Sequence, residues 1–113
     1  RRDRLPAVLA QLPGEAAAVL LVHEPDFADV SAATGRFDLQ LSGHSHGGQV
    51  IPPFFKRPPV LPLLGKKYPI GVYRVDGMVQ YTNRGLGMLR PYIRVNCRPE
   101  ITMLTLHSPA WSP

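Results

Sequence analysis

The stretch Gly43-His44-Ser45-His46-Gly47-Gly48-Gln49 places two imidazoles one residue apart, between glycines. Each neutral imidazole offers one ring nitrogen to a metal ion, while a backbone carbonyl or carboxylate can fix the other. Glycine on both sides lets the backbone leave a strand and pass close to an ion, in conformations other residues tolerate poorly. The competing reading is a glycine- and serine-rich surface turn that carries two histidines, and a motif this short does not decide alone. A third imidazole, His23, stands at the end of the apolar run 16–22, just before Glu24-Pro25-Asp26. It is either a further ligand or a histidine satisfied within the core.

Strand ends have to deliver these side chains. The continuous apolar run 16–22 reads as a strand buried on both faces, and Phe37-Asp38-Leu39-Gln40-Leu41-Ser42 as a second strand leading into the glycine-flanked histidines. Between them Pro25 keeps Glu24 out of helical geometry, Asp26 is placed to cap a short helix through Phe27, Val30 and Ala33, and Gly35 ends it. Leu5, Val8, Leu9 and Leu12 recur at helical intervals ahead of Pro13-Gly14, so residues 1–12 read as an amphipathic helix that covers a sheet. Strand, helix, strand is an α/β pattern, in which ligands bind beyond the carboxyl ends of the strands. Short connections favour neighbouring strands, which would let His23 converge with His44 and His46.

Further along, residues 51–69 hold six prolines and four cations, Lys56, Arg57, Lys66 and Lys67, with no acidic residue. So much proline argues against helix or central strand. Phe54 and Phe55 precede the first basic pair, and Leu61, Leu63 and Leu64 lie between the two pairs. This order suits an apolar loop that dips into a membrane interface or a lipid substrate while Lys56, Arg57, Lys66 and Lys67 meet anionic groups. A loop packed on its own domain with solvated lysines is the other reading. Val72-Tyr73-Arg74-Val75 and Met78-Val79-Gln80-Tyr81 flank Asp76-Gly77 and form a hairpin signature. Arg84, in Asn83-Arg84-Gly85-Leu86-Gly87, faces either a phosphate or an ordinary ion-pair partner. Cys97 has no base placed beside it by any motif and is assigned to packing. Residues 101–106 read as a last strand, and 107–113, with His107, as a surface tail.

A chain of 113 residues with 44% hydrophobic content fits one globular domain. Thirteen Lys and Arg against eight Asp and Glu give a net charge of +5, which favours anionic partners without naming one. A single cysteine excludes an internal disulfide. No apolar run approaches the roughly 20 residues that span a bilayer, and no signal peptide is visible, which says little about the intact protein if a targeting segment lies upstream; a cytoplasmic or peripheral membrane location is the expectation. The chain starts Arg1-Arg2-Asp3, without methionine, and is expected to be cut from a longer one.

The string Gly43-His44-Ser45-His46-Gly47-Gly48-Gln49 resembles the last sequence block, Gly-His-x-His, of the calcineurin-like metallophosphoesterases. Its longer form is similar to a bacterial branch that includes membrane-associated phosphodiesterases acting on lipid-linked pyrophosphates. Val22-His23-Glu24-Pro25-Asp26, Tyr81-Thr82-Asn83-Arg84-Gly85-Leu86-Gly87 and Cys97-Arg98-Pro99-Glu100-Ile101 resemble further blocks of that branch, in the same order. The resemblance implies the C-terminal half of a single domain, a layered α/β/β/α sandwich with mixed sheets, spanning residues 1–113. It implies a dinuclear site of divalent ions (manganese, iron or zinc) that hydrolyses a phosphoester or pyrophosphate, with His23 and His44 as ligands to one ion and His46 to the other. Three histidines cannot hold two ions. The family's other ligands come from Asp-x-His, Gly-Asp and Gly-Asn-His blocks that do not occur here. The 113 residues alone are therefore expected to be inactive, their site completed by the missing N-terminal half.

Expected partners are a phosphoester substrate, with a lipid-linked one as a candidate, and a membrane surface. The alternative from another class is a basic membrane- or nucleic-acid-binding module with structural histidines. Nucleic acid is disfavoured because the aromatics are not interleaved with the basic residues as stacking platforms.

Overall fold

A computed structural model describes residues 2–109; Arg1 and residues 110–113, the end of the expected tail, lie outside the described residues. Four strands form one mixed sheet in the order β1-β2-β4-β3: β1 Val19–Leu21, β2 Leu39–Ser42, β3 Gly71–Val75 and β4 Met78–Thr82. The first three in that order run parallel, while β3 returns antiparallel to β4 across the Asp76-Gly77 turn. The α/β class expected from the sequence is the one observed.

Helices α1 (Leu5–Leu9) and α2 (Ala28–Ala32) cover one face of the sheet. Beneath them lies a core of Ala18, Ala28, Ala32, Phe37, Tyr68, Val75 and Met78, against which Leu5, Leu9, Leu12, Leu20 and Tyr73 pack. Of the four apolar residues expected on the first helix, Val8 stays 40% exposed. A five-residue helix is too short to present the whole stripe, and a 3₁₀ turn at Arg2–Arg4 replaces its start. Glu24 is extended at φ −86°, ψ 122°, as the proline after it requires. Asp26 makes no cap; its carboxylate accepts the backbone N–H groups of Lys66, Lys67 and Tyr68 instead, at 3.0–3.2 Å.

The helix-covered face also buries a polar column that alternation alone would have placed in solvent. Gln40 and Gln80 stand side by side in the β2–β4 register, both fully buried. Gln40 Oε1 accepts from Ser31 Oγ on α2 at 2.5 Å, and its Nε2 donates to Pro25 O and Ser42 Oγ. Gln80 Nε2 donates to Thr82 Oγ1, which donates to Tyr68 O. A one-residue slip would turn these amides to the opposite face, Gln40 away from Ser31 and Pro25, so the column holds strand register as well as α2.

The opposite face differs from expectation. Run 16–22 is a strand only over three residues, at the sheet edge, with Val19 45% and Leu21 75% exposed. In-register neighbours place these side chains on the face that carries Leu39, Leu41, Val79, Tyr81 and Val72. Residues 101–106 pair with no strand among the described residues; Ile101 and Met103 are 85% and 92% exposed. A strand needs a ladder partner, and apolar alternation without one leaves extended chain.

This segment is held by its start. Glu100 accepts from Tyr81 Oη, from Thr102 Oγ1 and from Arg84, whose Nε lies 2.9 Å away. Burial pushes the Glu100 carboxyl up, but the Thr102 and Tyr81 hydroxyls and Arg84 outweigh it and hold it at about 2, below its ordinary 4.5.

Two outcomes follow from this side of the sheet. The 113-residue chain by itself should self-associate at micromolar concentration in sedimentation velocity, through the uncovered apolar face; a cooperative, monodisperse monomer would contradict that. For Glu100, whose folded pKa is depressed, the stabilisation is present above pH 4.5 and lost as pH falls toward 2. Glu100→Gln should then cost the intact protein at most about 3 kcal/mol near neutrality. In thermal melts that penalty should shrink through the same acid window, whereas a pH-independent penalty would refute the assignment.

Candidate metal centre

The carboxyl ends of β1 and β2 stay paired beyond the strands themselves. Val22 N–H donates to Leu41 O at 3.1 Å and Gly43 N–H to His23 O at 3.2 Å. The backbone zipper therefore continues up to the two histidines, and His23 Nε2 lies 3.1 Å from His44 Nδ1 with the rings edge to face. His44 Nε2 is 2.8 Å from Leu63 O. A carbonyl can only accept, so that nitrogen carries the proton and Nδ1 presents its lone pair toward His23.

The turn after β2 is held in unusual backbone geometry. His44, His46 and Gln49 have φ of +63°, +49° and +59°, in the left-handed region that non-glycine residues seldom occupy. Such conformations cost on the order of 1–3 kcal/mol each and persist where the surroundings enforce them. Ser45, nearly buried, donates to Pro69 O at 2.6 Å and accepts from Gly47 N–H. Gln49 Nε2 reaches Leu89 O, Pro91 O and Ile93 O, and its Oε1 accepts from Leu89 N–H. Gly47 and Gly48 serve close packing as well as positive φ: a Cβ on Gly47 would stand 2.5 Å from Cys97 Sγ, and one on Gly48 would overlap the Pro58 ring. Cys97, 1% exposed, is a packing residue there.

His46 is turned elsewhere. Its Nδ1 lies 3.1 Å from Gly87 O, so Nδ1 carries the proton and Nε2 the lone pair. Among the described residues no group of three or more His, Cys, Asp or Glu side chains is placed to hold a metal ion. The structure thus brings His23 and His44 into contact and leaves His46 on a neighbouring contact of its own.

The donor chemistry nonetheless fits a metal at the pair. Imidazole nitrogens bind a divalent ion such as zinc at about 2.0–2.1 Å, so two of them on one ion stand about 2.9 Å apart in octahedral and about 3.3 Å apart in tetrahedral geometry. The observed 3.1 Å lies between these and is also the length of a hydrogen bond between the rings. The carbonyls of Leu63 and Gly87 lie where the outer partner of a ligating histidine would. Two imidazoles would supply only one edge of a coordination sphere, and no third His, Cys, Asp or Glu joins them among the described residues.

Residues 51–69 form the irregular loop expected, and Leu63 shows where it sits: over the His23–His44 pair. Asp26 grips the far end of the loop, and Lys67 pairs with Asp29 at 2.7 Å, where Tyr68 Oη also donates. Lys67, followed by burial and the Tyr68 hydroxyl, sets the Asp29 carboxyl, with a net shift below its usual value. Phe54, Phe55, Leu63 and Leu64 remain exposed, with Lys56, Arg57 and Lys66 beside them, while Leu61 is half-buried. Leu61 lines a cleft of about 450 Å³ between the His46 turn, residues 59–62 and residues 89–91. Arg84 occupies the ion pair with Glu100, the second of its two sequence readings. Sequence reasoning missed Arg94 and the roles of Gln49 and Ser45. No motif marks Arg94, whose partners are five main-chain carbonyls and the Cys97 sulfur. No described helix is long and apolar enough to cross a membrane.

No family model and no solved structure matches the chain. Curated relatives do. It is 45% identical over 100 residues to the uncharacterized metallophosphoesterase YkuE of Bacillus subtilis, covering 88% of this chain and 34% of that protein. It is 41% identical over 101 residues to phosphodiesterase YaeI of Escherichia coli, covering 89% and 35%. An uncharacterized metallophosphoesterase of Campylobacter jejuni is 36% identical over 91 residues, covering 80% and 23%. The chain thus spans about a third of the length of the first two relatives. Two relatives named metallophosphoesterase and one named phosphodiesterase, each matched over 80% or more of this chain, place it in the calcineurin-like metallophosphoesterase family.

Proposed function

We propose that the intact protein is a metal-dependent phosphoester hydrolase working with two divalent ions, manganese, iron or zinc. His23 and His44 hold one ion and His46 the other, and ligands outside this chain complete both. The observation that carries the reading is the 3.1 Å approach of His23 Nε2 to His44 Nδ1 at adjacent parallel strand ends. When bound, such ions neutralise phosphoryl oxygens and activate a water for attack.

The chain's own residues prepare that arrangement. Leu63 O holds the His44 proton on Nε2 and leaves Nδ1 unprotonated, facing His23 Nε2, whose proton an ion bound between the two rings would displace. Gly87 O does the converse for His46, with the proton on Nδ1. The left-handed turn fixes both rings at small entropic cost on binding, because Ser45 and Gln49 already immobilise it. The cleft beside His46 offers apolar walls from Val60, Leu61 and Leu89, with Arg90 at its edge. That combination suits a phosphoester whose leaving or retained group is apolar, and supports a lipid-linked substrate. Exposed Phe54 and Leu63, 103% and 76%, beside Lys56 and Lys66 support contact with an anionic membrane surface from a cytoplasmic or peripheral position.

His44→Ala and His46→Ala, each in the intact protein, should lower manganese-dependent kcat/KM for bis(p-nitrophenyl) phosphate by about a thousandfold or more. A bound ion contributes several kcal/mol to such a transition state, and each 1.36 kcal/mol is a factor of ten. Hydrolysis unchanged in both variants would leave the histidines structural and end the hydrolase reading.

A further inference from the structure

We propose that Arg94 is the positioning residue for His46, fixing which ring nitrogen carries the proton and therefore which one is presented to a metal ion. The metal half of this inference rests on the reading of His46 as a ligand. Arg94 Nη1 donates to the main-chain carbonyl of His46 itself at 3.2 Å and to Cys97 O at 3.1 Å. Its Nη2 donates to Arg84 O, Gly85 O and, at 2.6 Å, Gly87 O. Gly87 O is also the acceptor facing His46 Nδ1 at 3.1 Å. One guanidinium thus holds both the backbone that carries the imidazole and the carbonyl that orients its ring.

A carbonyl oxygen has two lone pairs, so Gly87 O can serve Arg94 and His46 together. Because it cannot donate, His46 Nδ1 must carry the proton, which leaves Nε2 unprotonated. The geometry asks for a planar fork. Five carbonyls from the His46 turn, the 84–87 turn and Cys97 surround two nitrogens in fixed relation, which a single ammonium on a flexible stem does not reproduce. Arg94 Nε is buried with no hydrogen-bond partner among the described residues, so the outer nitrogens alone place the group. Glu100 ties the start of the 84–87 turn, through Arg84 and through its N–H to Gly85 O, and Arg94 reaches the end of the turn at Gly87. Gly85 sits at φ +71°, and without the clamp Gly87 O would lose its registration against the ring.

The test reads the tautomer directly. Nitrogen-15 shifts of the His46 ring in metal-free intact protein, at a pH where the ring is neutral, should report the proton on Nδ1 in the wild type. Arg94→Lys and Arg94→Met should lose that preference and bind Mn²⁺ about ten- to a hundredfold more weakly, with circular dichroism unchanged. A folded variant that keeps both the Nδ1–H tautomer and wild-type Mn²⁺ affinity would overturn the proposal. So would a wild type with its proton on Nε2, a result that needs no variant to fold. A wild type that binds no Mn²⁺, together with tautomer loss in the variants, would remove the hydrolase reading and support the Arg94–His46 linkage.

Discussion

The parallel pairing of β1 with β2 is the constraint on which the site depends. Parallel neighbours point their carboxyl ends the same way, and two hydrogen bonds past the last ladder positions carry the pairing up to His23 and His44. The imidazoles meet because the backbones beneath them already do. Neither ring owes its position to a long, flexible side chain, so little conformational freedom remains to be lost when a ligand binds. On the other side of β2, its register with β4 sets Gln40 beside Gln80, where the Gln40 amide finds Ser31, Pro25 and Ser42.

The turn beyond β2 shows the opposing demand. Three non-glycine residues within six positions adopt left-handed backbone, a strained arrangement that an unsupported turn would relax. Support comes from several directions: Ser45 on Pro69, Gln49 on residues 89–93, Leu63 on His44, Arg94 on five carbonyls. Most of these bonds end on main-chain carbonyls, so the residues that hold the site need not be chemically related to those that would react in it. The opposite face of the sheet is tied only at Tyr81, to Glu100 and Thr102, among the described residues, and Leu21 there is 75% exposed.

The sequence disclosed the parts of this structure that local chemistry determines. Pro25 set Glu24 extended, Asp76-Gly77 turned the hairpin, six prolines excluded regular structure from residues 51–69, and the apolar runs marked both strands that deliver histidines. Features decided by distant contacts were not legible. Asp26 looked like a helix cap because its partners, the amides of residues 66–68, lie forty residues away and carry no side-chain signature. Run 16–22 looked buried on both faces because hydrophobicity records what a strand is suited to cover, whereas exposure depends on whether the covering layer is present. Residues 101–106 alternate like a strand for the same reason. Arg94 bonds mainly to carbonyls, which every residue possesses.

The central claim is that the ends of β1 and β2 present His23 and His44 to a single cation. The most direct measurement is an anomalous-difference map from crystals of the intact protein grown with manganese. The account predicts a peak bonded to both His23 Nε2 and His44 Nδ1. A fully occupied ion bound elsewhere, with the two rings still hydrogen-bonded to each other, would contradict it.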